Sequence, residues 1–101
     1  MHISYCVMSR ISKILIVDDS PELLEVFQYF LKSAGYEVRT TESATSIQSE
    51  ITSYLPDIIL LDVKLSGHDG REICKELKGN AETKNIPIIL MSANPNSWII
   101  M

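Results

Sequence analysis

The stretch that decides the fold is Pro56-Asp57-Ile58-Ile59-Leu60-Leu61-Asp62, a run of large apolar residues that ends in a carboxylate. A continuous apolar run without polar alternation is typical of a strand buried on both faces, as in a parallel sheet covered by helices on each side. The polar, glycine-containing residues 63–70 that follow predict a loop. Because ligands of open α/β sheets bind at the carboxyl ends of the strands, Asp62 is a candidate functional residue.

The same pattern, an apolar run that ends in carboxylates, occurs earlier in the chain, where residues 13–17 precede Asp18 and Asp19. This run predicts the first buried strand. The half-polar, alternating stretch 36–40 predicts an edge strand. The apolar stretch 86–91 predicts a fourth strand.

Three amphipathic helices are predicted to alternate with these strands. They lie between residues 20 and 35, residues 43 and 54, and residues 70 and 79. Pro21 after Ser20 indicates the start of the first helix, and Gly35 indicates its end. The buried face of this helix is predicted to carry Leu23, Phe27, Phe30, Leu31 and Ala34. Residues 94–97 look like a helix cap, so Trp98-Ile99-Ile100-Met101 would open a fourth helix.

The alternation of strands and helices predicts an α/β domain with parallel strands joined by right-handed crossovers. The carboxyl ends of such strands meet at one edge, so Asp62 and Ser92 are expected beside the acidic pair that follows the first strand. Converging carboxylates repel one another unless a cation lies among them, and an all-oxygen set suits Mg²⁺. A carboxylate can also accept a phosphoryl group as a mixed anhydride, with Ser92 and the backbone N–H of Ala93 as donors to its oxygens.

Length and charge narrow the possible classes of protein. The chain has 101 residues, enough for one small domain, and its net charge of −4 argues against non-specific binding to nucleic acid or to an anionic membrane. No apolar run approaches the length of a transmembrane helix. Cys6 and Cys74 stand far apart and in no motif, which favours reduced thiols in a cytoplasmic protein, with Cys74 as a small core residue.

These residues together resemble the receiver domain of bacterial two-component response regulators. The acidic pair after the first strand, Asp62 after the third and Ser92-Ala93 after the fourth match that family's pattern in order. The stretch 62–70, which ends in Asp69-Gly70, resembles its phosphoacceptor loop. The resemblance covers residues 13 to about 97.

The resemblance implies a flavodoxin-like doubly wound parallel sheet with strand order 2-1-3-4, formed by residues 13–101, after an N-terminal extension of residues 1–12. It implies a signalling domain rather than an enzyme, with a sensor histidine kinase as its partner. The phosphohistidine of this kinase would transfer its phosphoryl group to Asp62. The implied Mg²⁺ ligands are Asp19, Asp62, the backbone carbonyl of Lys64 and, through water, Asp18. Ser92 and Ala93 would contact the phosphoryl oxygens and act in the switch.

The chain also departs from the family pattern. Receivers continue through a fifth strand and a fifth helix, and the lysine and the aromatic switch residue of that fifth strand have no counterpart here. Ser66 stands where the family usually has proline. Without the fifth strand, residues 86–91 would form an exposed apolar edge, and the sheet face that the fifth helix covers would be bare. Such edges pair with other chains, which predicts a homodimer through the fourth strand.

Two functions other than a phosphoacceptor are compatible with these residues. One is a non-phosphorylated pseudo-receiver that serves for docking or dimerisation, which the absent lysine favours. The other is a Mg²⁺-dependent phosphatase with an aspartyl nucleophile, which is weaker because Asp62-Val63-Lys64 lacks a second acid. In simpler interpretations Asp62 would cap the third helix, and the side chains of Lys64 and His68 would be solvated.

Overall fold

The computed structural model describes residues 11–92 and the backbone of residues 99–100. Its strands are β1 (Lys13–Val17), β2 (Glu37–Thr41), β3 (Ile58–Asp62), β4 (Lys64–Leu65), β5 (His68–Asp69), β6 (Ile88–Met91) and β7 (Ile99–Ile100). Its helices are α1 (Pro21–Ser33), α2 (Ile47–Tyr54), which a 3-10 turn at Ala44–Ser46 precedes, and α3 (Gly70–Lys78). None of these helices is long and apolar enough to cross a membrane.

The main sheet has the order β2-β1-β3-β6-β7. The pairs β1–β2, β1–β3 and β3–β6 are parallel. These are the four strands predicted from the sequence, so the predicted α/β class and strand order 2-1-3-4 are confirmed. The parallel register brings the carboxyl ends of β1, β3 and β6 to one edge of the sheet.

The end of the chain differs from the prediction. Ile99–Ile100 form β7, which pairs antiparallel with Ile89 and Leu90 of β6. The predicted fourth helix is therefore wrong at residues 99 and 100, because β-branched side chains and the open ladder of β6 favour a strand there. The prediction that residues 86–91 form an exposed edge is likewise wrong at Ile89 and Leu90, where β7 pairs with β6. The predicted cap at residues 94–97, as well as Trp98 and Met101, lies outside the described residues.

The side chains of the sheet alternate between two apolar clusters, because successive residues of a strand point to opposite faces. On one face α2 and α3 cover a core that includes Leu15, Val17, Ile59, Leu61, Ile88 and Leu90. On the other face α1 covers Ile14, Ile16 and Met91. Strand β1 is thus buried on both sides, as its apolar run predicted, whereas Ile58 and Leu60 of β3 are only partly buried on the α1 face.

The buried face of helix α1 was predicted correctly at Phe27 and Leu31 but not at the other three predicted positions. Leu24 is its buried residue, and Phe27 and Leu31 pack beside it. Leu23 and Phe30, expected inside, are 48% and 64% exposed. Helix α1 has two apolar faces, one that contains Leu23 and one that contains Leu24. The face with Leu24 is the one that contacts the sheet. Ala34, also expected inside, is exposed at the C-cap.

Candidate metal centre

Three carboxylates meet at the carboxyl edge of the sheet. Asp18 and Asp19 follow β1, and Asp62 is the last residue of the neighbouring strand β3. One carboxylate oxygen from each residue lies within 4.8 Å of the others. The predicted convergence of these side chains is therefore confirmed.

The start of α1 fixes the positions of the first two acids. Ser20 caps the helix by accepting a hydrogen bond from the Leu23 N–H at 3.3 Å, and Pro21 occupies its first turn. The N–H of Ser20 donates to Asp18 Oδ1 at 2.9 Å. The chain therefore turns sharply between β1 and α1 with both carboxylates at the turn.

Asp18 is the most buried of the three acids, with 4% of its surface exposed. Burial raises the pKa of Asp18 above its ordinary value, and the nearby charges of Asp62 and Asp19 raise it further. The hydrogen bond from the Ser20 N–H opposes this rise in pKa. The ionised form of Asp18 is thus held at a cost in free energy.

Asp62 is half-buried, and opposing effects act on its pKa as they do on the pKa of Asp18. Burial is the main reason that the pKa of Asp62 is raised, and the Asp19 charge adds to it. The Lys64 N–H, which donates to Asp62 Oδ1 at 3.2 Å, favours the carboxylate. A divalent cation would relieve the repulsion, and an all-oxygen set of this size fits Mg²⁺.

A cleft of about 620 Å³ opens beside these acids. Besides the three aspartates it is lined by Ser20, Leu23, Phe27, Val63, Lys64, Met91 and Ser92. Ser92 therefore lies at the site as predicted, and Lys64 lies at its exposed rim. Ala93, predicted to act with Ser92, lies outside the described residues.

Residues 63–70, predicted as a loop, contain a short hairpin. Strands β4 and β5 pair Lys64 with Asp69 and Leu65 with His68. The turn between them is Ser66-Gly67, and Gly67 has a φ of 74°, which glycine adopts without strain. The dipeptide Ser-Gly is a turn signal that could have indicated this hairpin.

Two residues near the site were missed as functional candidates in the sequence. The hydroxyl of Ser66 donates to Asp19 Oδ2 at 2.9 Å across 47 positions of sequence. Gly70 approaches the backbone at Asp62, and its N–H donates to the Val63 carbonyl at 2.7 Å. Neither contact has a local sequence signal, because both depend on the tertiary fold.

The structure distinguishes the simpler interpretations of Asp62, His68 and Cys74 from the functional ones. The N-cap of α3 is Asp69, whose carboxylate accepts the Arg71 N–H at 2.9 Å, so Asp62 does not cap that helix. His68 is exposed, as predicted. Cys74 is a buried free thiol whose pKa is raised by burial, which confirms it as a core residue. Cys6 lies outside the described residues.

Comparison with known sequences agrees with this geometry. The sequence model of the response regulator receiver domain matches residues 14–100. Response regulator PleD of Caulobacter vibrioides is 37% identical over 82 residues, which are 81% of this chain and 18% of PleD. The chain thus spans less than a fifth of the length of this curated relative.

Solved structures of receivers have the same fold. The N-terminal domain of a response regulator receiver protein from Methanoculleus marisnigri JR1 aligns with a TM-score of 0.78 and 33% identity, over 81% of this chain and 67% of that one. The BeF3-activated N-terminal receiver domain of Klebsiella pneumoniae RstA aligns with a TM-score of 0.75 and 29% identity, over 82% of this chain and 68% of that one. The chain belongs to the response regulator receiver domain family, a family of two-component signalling domains.

Proposed function

We propose that this chain is a phosphoacceptor whose nucleophile is the carboxylate of Asp62. The observation that carries the proposal is the convergence of Asp18, Asp19 and Asp62 within 4.8 Å at the carboxyl edge of a parallel sheet. All three acids line the open cleft, but Asp18 is buried whereas Asp62 is half-buried. Asp62 is therefore better placed than Asp18 to meet an incoming phosphoryl group.

The proposed reaction is transfer from the phosphohistidine of a sensor histidine kinase. A carboxylate oxygen of Asp62 forms a bond to phosphorus while the P–N bond breaks. The electron pair of the P–N bond stays with the imidazole nitrogen. The product is an aspartyl phosphate. The ionised form of Asp62 is the nucleophile, and the Lys64 N–H at 3.2 Å favours that form.

The cation site is part of the proposal. Asp19, Asp62 and the backbone carbonyl of Lys64 would hold Mg²⁺, with Asp18 acting through water. When bound, Mg²⁺ offsets negative charge on the group that is transferred. The burial of Asp18 and the mutual repulsion of the three acids support this assignment, since both favour a bound cation. Ser92, with the backbone N–H of Ala93, would contact the phosphoryl oxygens and begin the switch.

The remaining assignments follow from this role. We propose residues 13–101 as the receiver-like unit and residues 1–12 as an N-terminal extension, in which Ser12 already accepts a hydrogen bond from the Glu37 N–H at 2.7 Å. The chain would act in the cytoplasm as a signalling domain rather than an enzyme. Beyond the transfer and loss of its own phosphoryl group, it would catalyse no reaction. It would bind neither nucleic acid nor membrane on its own.

We also propose self-association, through an apolar surface around α1. A groove of about 490 Å³ beside this helix is lined by apolar side chains that include Phe27, Leu31, Leu60 and Ile89. On the outer side of α1, Tyr29 and Phe30 are 69% and 64% exposed. Exposed apolar side chains that cluster on a surface mark protein interaction sites, and we place the contact on the outer side of α1.

The test is the intact mass of the chain after incubation with acetyl phosphate and Mg²⁺, compared with Asp62→Asn. One added phosphoryl group is expected for the wild type and none for the variant or for samples without Mg²⁺. A folded wild-type chain that gains no mass would contradict the proposal. It would favour the alternative, a pseudo-receiver that only docks or dimerises.

A second measurement separates binding from transfer. The related receiver of Klebsiella pneumoniae RstA is described as BeF3-activated. Beryllofluoride with Mg²⁺ is therefore expected to raise the Tm of the wild type and to leave the Tm of Asp62→Asn unchanged. The assay requires no phosphodonor, so it reports on the site even if transfer is slow.

A further inference from the structure

A side chain of the β4–β5 hairpin reaches into the acidic site. Ser66 Oγ donates to Asp19 Oδ2 at 2.9 Å. Ser66 is the first residue of the hairpin turn, whereas Asp19 follows β1. The hydrogen bond therefore connects the hairpin to the segment between β1 and α1. A hydrogen bond to an ionised carboxylate is among the stronger ones in proteins.

The hairpin holds this hydroxyl in place from both sides. Leu65, immediately before Ser66, is 5% exposed and packs in the core under α2 and α3. Gly67, immediately after it, has the positive φ that lets the chain reverse in two residues. At the end of the hairpin, Asp69 caps α3. Ser66 is therefore presented to Asp19 by a segment that is anchored at both ends.

The three acids of the site are oriented by different means. Asp18 and Asp62 accept backbone N–H groups, from Ser20 at 2.9 Å and from Lys64 at 3.2 Å. Asp19 accepts a side-chain hydroxyl instead. Substitution of Ser20 or Lys64 leaves the backbone N–H donor in place, whereas substitution of Ser66 by alanine removes the hydroxyl that donates to Asp19. The donor to Asp19 that residues 11–92 supply is thus a replaceable side chain.

We propose that Ser66 is a positioning residue of the cation site: its hydroxyl orients Asp19 so that the other carboxylate oxygen is directed to a bound divalent cation. The inference rests on the proposed function, because it requires a cation among the three acids. Partners of metal-ligating carboxylates typically contribute ten- to a hundredfold to metal affinity. Because binding equilibria are reciprocal, a bound cation also stabilises the hairpin that supplies Ser66.

The experiment measures binding of Mg²⁺ alone to the whole chain by isothermal titration calorimetry. Ser66→Ala is expected to weaken Mg²⁺ binding about tenfold. Ser66→Thr, which keeps a hydroxyl, is expected to stay close to the wild type. Ser33→Ala is the matched control, because the exposed Ser33 donates to the Tyr29 carbonyl within α1, at the end of that helix farther from the site. Circular dichroism establishes that each variant is folded.

A second readout tests the coupling to the hairpin. In the wild type, saturation with Mg²⁺ is expected to slow hydrogen exchange of the amides at residues 64–69, and in Ser66→Ala this effect is expected to be lost. Unchanged or tighter Mg²⁺ binding by Ser66→Ala would overturn the inference, as would equal weakening by Ser66→Thr. If the folded wild type binds no Mg²⁺, the proposed function itself fails, and this inference fails with it.

Discussion

Gly70 lies against the backbone of Asp62, the residue at the centre of the proposed site. A Cβ at position 70 would lie 3.0 Å from the Asp62 carbonyl carbon and 2.9 Å from Val63 Cα, and closer still to the Asp62 carbonyl oxygen. Real Cβ atoms do not approach backbone this closely, so either α3 or the end of β3 would have to move. Position 70 therefore requires glycine, because the backbone of Asp62 and Val63 leaves no room for a side chain.

The first prediction concerns this contact. Gly70→Ala is expected to lower the free energy of unfolding by about 2 kcal/mol, a typical cost of overpacking. For a domain of this size, that loss lowers Tm by roughly 10 °C. The measurement is thermal unfolding followed by circular dichroism.

The control for this variant is Gly79→Ala. Gly79 has a φ of −84°, and a Cβ there would lie 3.4 Å from the Lys75 carbonyl oxygen, an ordinary contact. Its Tm is expected to stay within about 3 °C of the wild type, since neutral surface changes usually alter stability by less than 0.5 kcal/mol. Equal Tm values for the two variants would show that the close approach at Gly70 does not restrict position 70.

The second prediction follows from the raised pKa of Asp18. At neutral pH without Mg²⁺, Asp18→Asn is expected to stabilise the fold by about 1 kcal/mol, because it removes a buried charge that its neighbours repel. The folded state holds the Asp18 proton more tightly than the unfolded state. The contribution of Asp18 to stability therefore falls as pH rises from 3.8 through the raised pKa, and the difference in stability between the variant and the wild type disappears below that range.

Thermal unfolding at neutral and acid pH, with and without Mg²⁺, checks this prediction. Mg²⁺ is expected to raise the Tm of the wild type more than that of Asp18→Asn. Glu42→Gln removes one charge from an exposed side chain and serves as the control. A variant that is less stable than the wild type without Mg²⁺ at neutral pH would contradict the electrostatic argument.

The sequence predicted the four parallel strands and the meeting of the acids because each depends on strong local signals. The runs at residues 14–17 and 58–61 are continuous and apolar and stop at carboxylates, a pattern typical of strands buried in a parallel sheet. The rotation of α1 was mispredicted because Leu23 and Leu24 are equally apolar, and only contact with the sheet selects Leu24.

Other features could not be predicted because they depend on contacts between distant residues. Strand β7 forms because β6 offers an open ladder to Ile99–Ile100, which the sequence near the end of the chain does not reveal. The contact between Ser66 and Asp19 joins side chains 47 positions apart. Leu55, with a φ of 56°, ends α2 in a conformation that usually indicates glycine, and its sequence carries no such signal.

The third prediction concerns the amino ends of β1 and β3, at the opposite edge from the site. Asp57 Oδ2 accepts the N–H of Ser12 at 2.8 Å and the N–H of Lys13 at 2.9 Å. The hydrogen bond from Ser12, followed by that from Lys13, holds the pKa of Asp57 below its ordinary value. Asp57→Asn is expected to cost about 1 kcal/mol at neutral pH, since one weaker acceptor replaces a carboxylate.

The contribution of Asp57 to the free energy of unfolding is expected to decrease at acid pH. The folded pKa of Asp57 is lowered, so its contribution is complete above the unfolded pKa of 3.8 and is lost as pH falls through the folded pKa. The difference in stability between the wild type and Asp57→Asn, measured by urea unfolding, is expected to shrink as pH falls below 3.8. A difference that stays constant down to the lowest pH at which the chain folds would show that the carboxylate charge plays no part.

The last prediction is that the chain self-associates through the outer side of α1. Glu22 and Glu25 lie near the start of this helix and Lys32 near its end, so antiparallel packing of two copies, as a two-fold axis permits, brings opposite charges together. Light scattering at increasing concentration is expected to show a dimer, and Phe30→Glu is expected to shift it to the monomer, because a carboxylate would be buried without a partner. Thr52→Glu, at an exposed position on α2, is the control and is expected to remain dimeric. A wild-type chain that stays monomeric at every concentration would contradict the prediction.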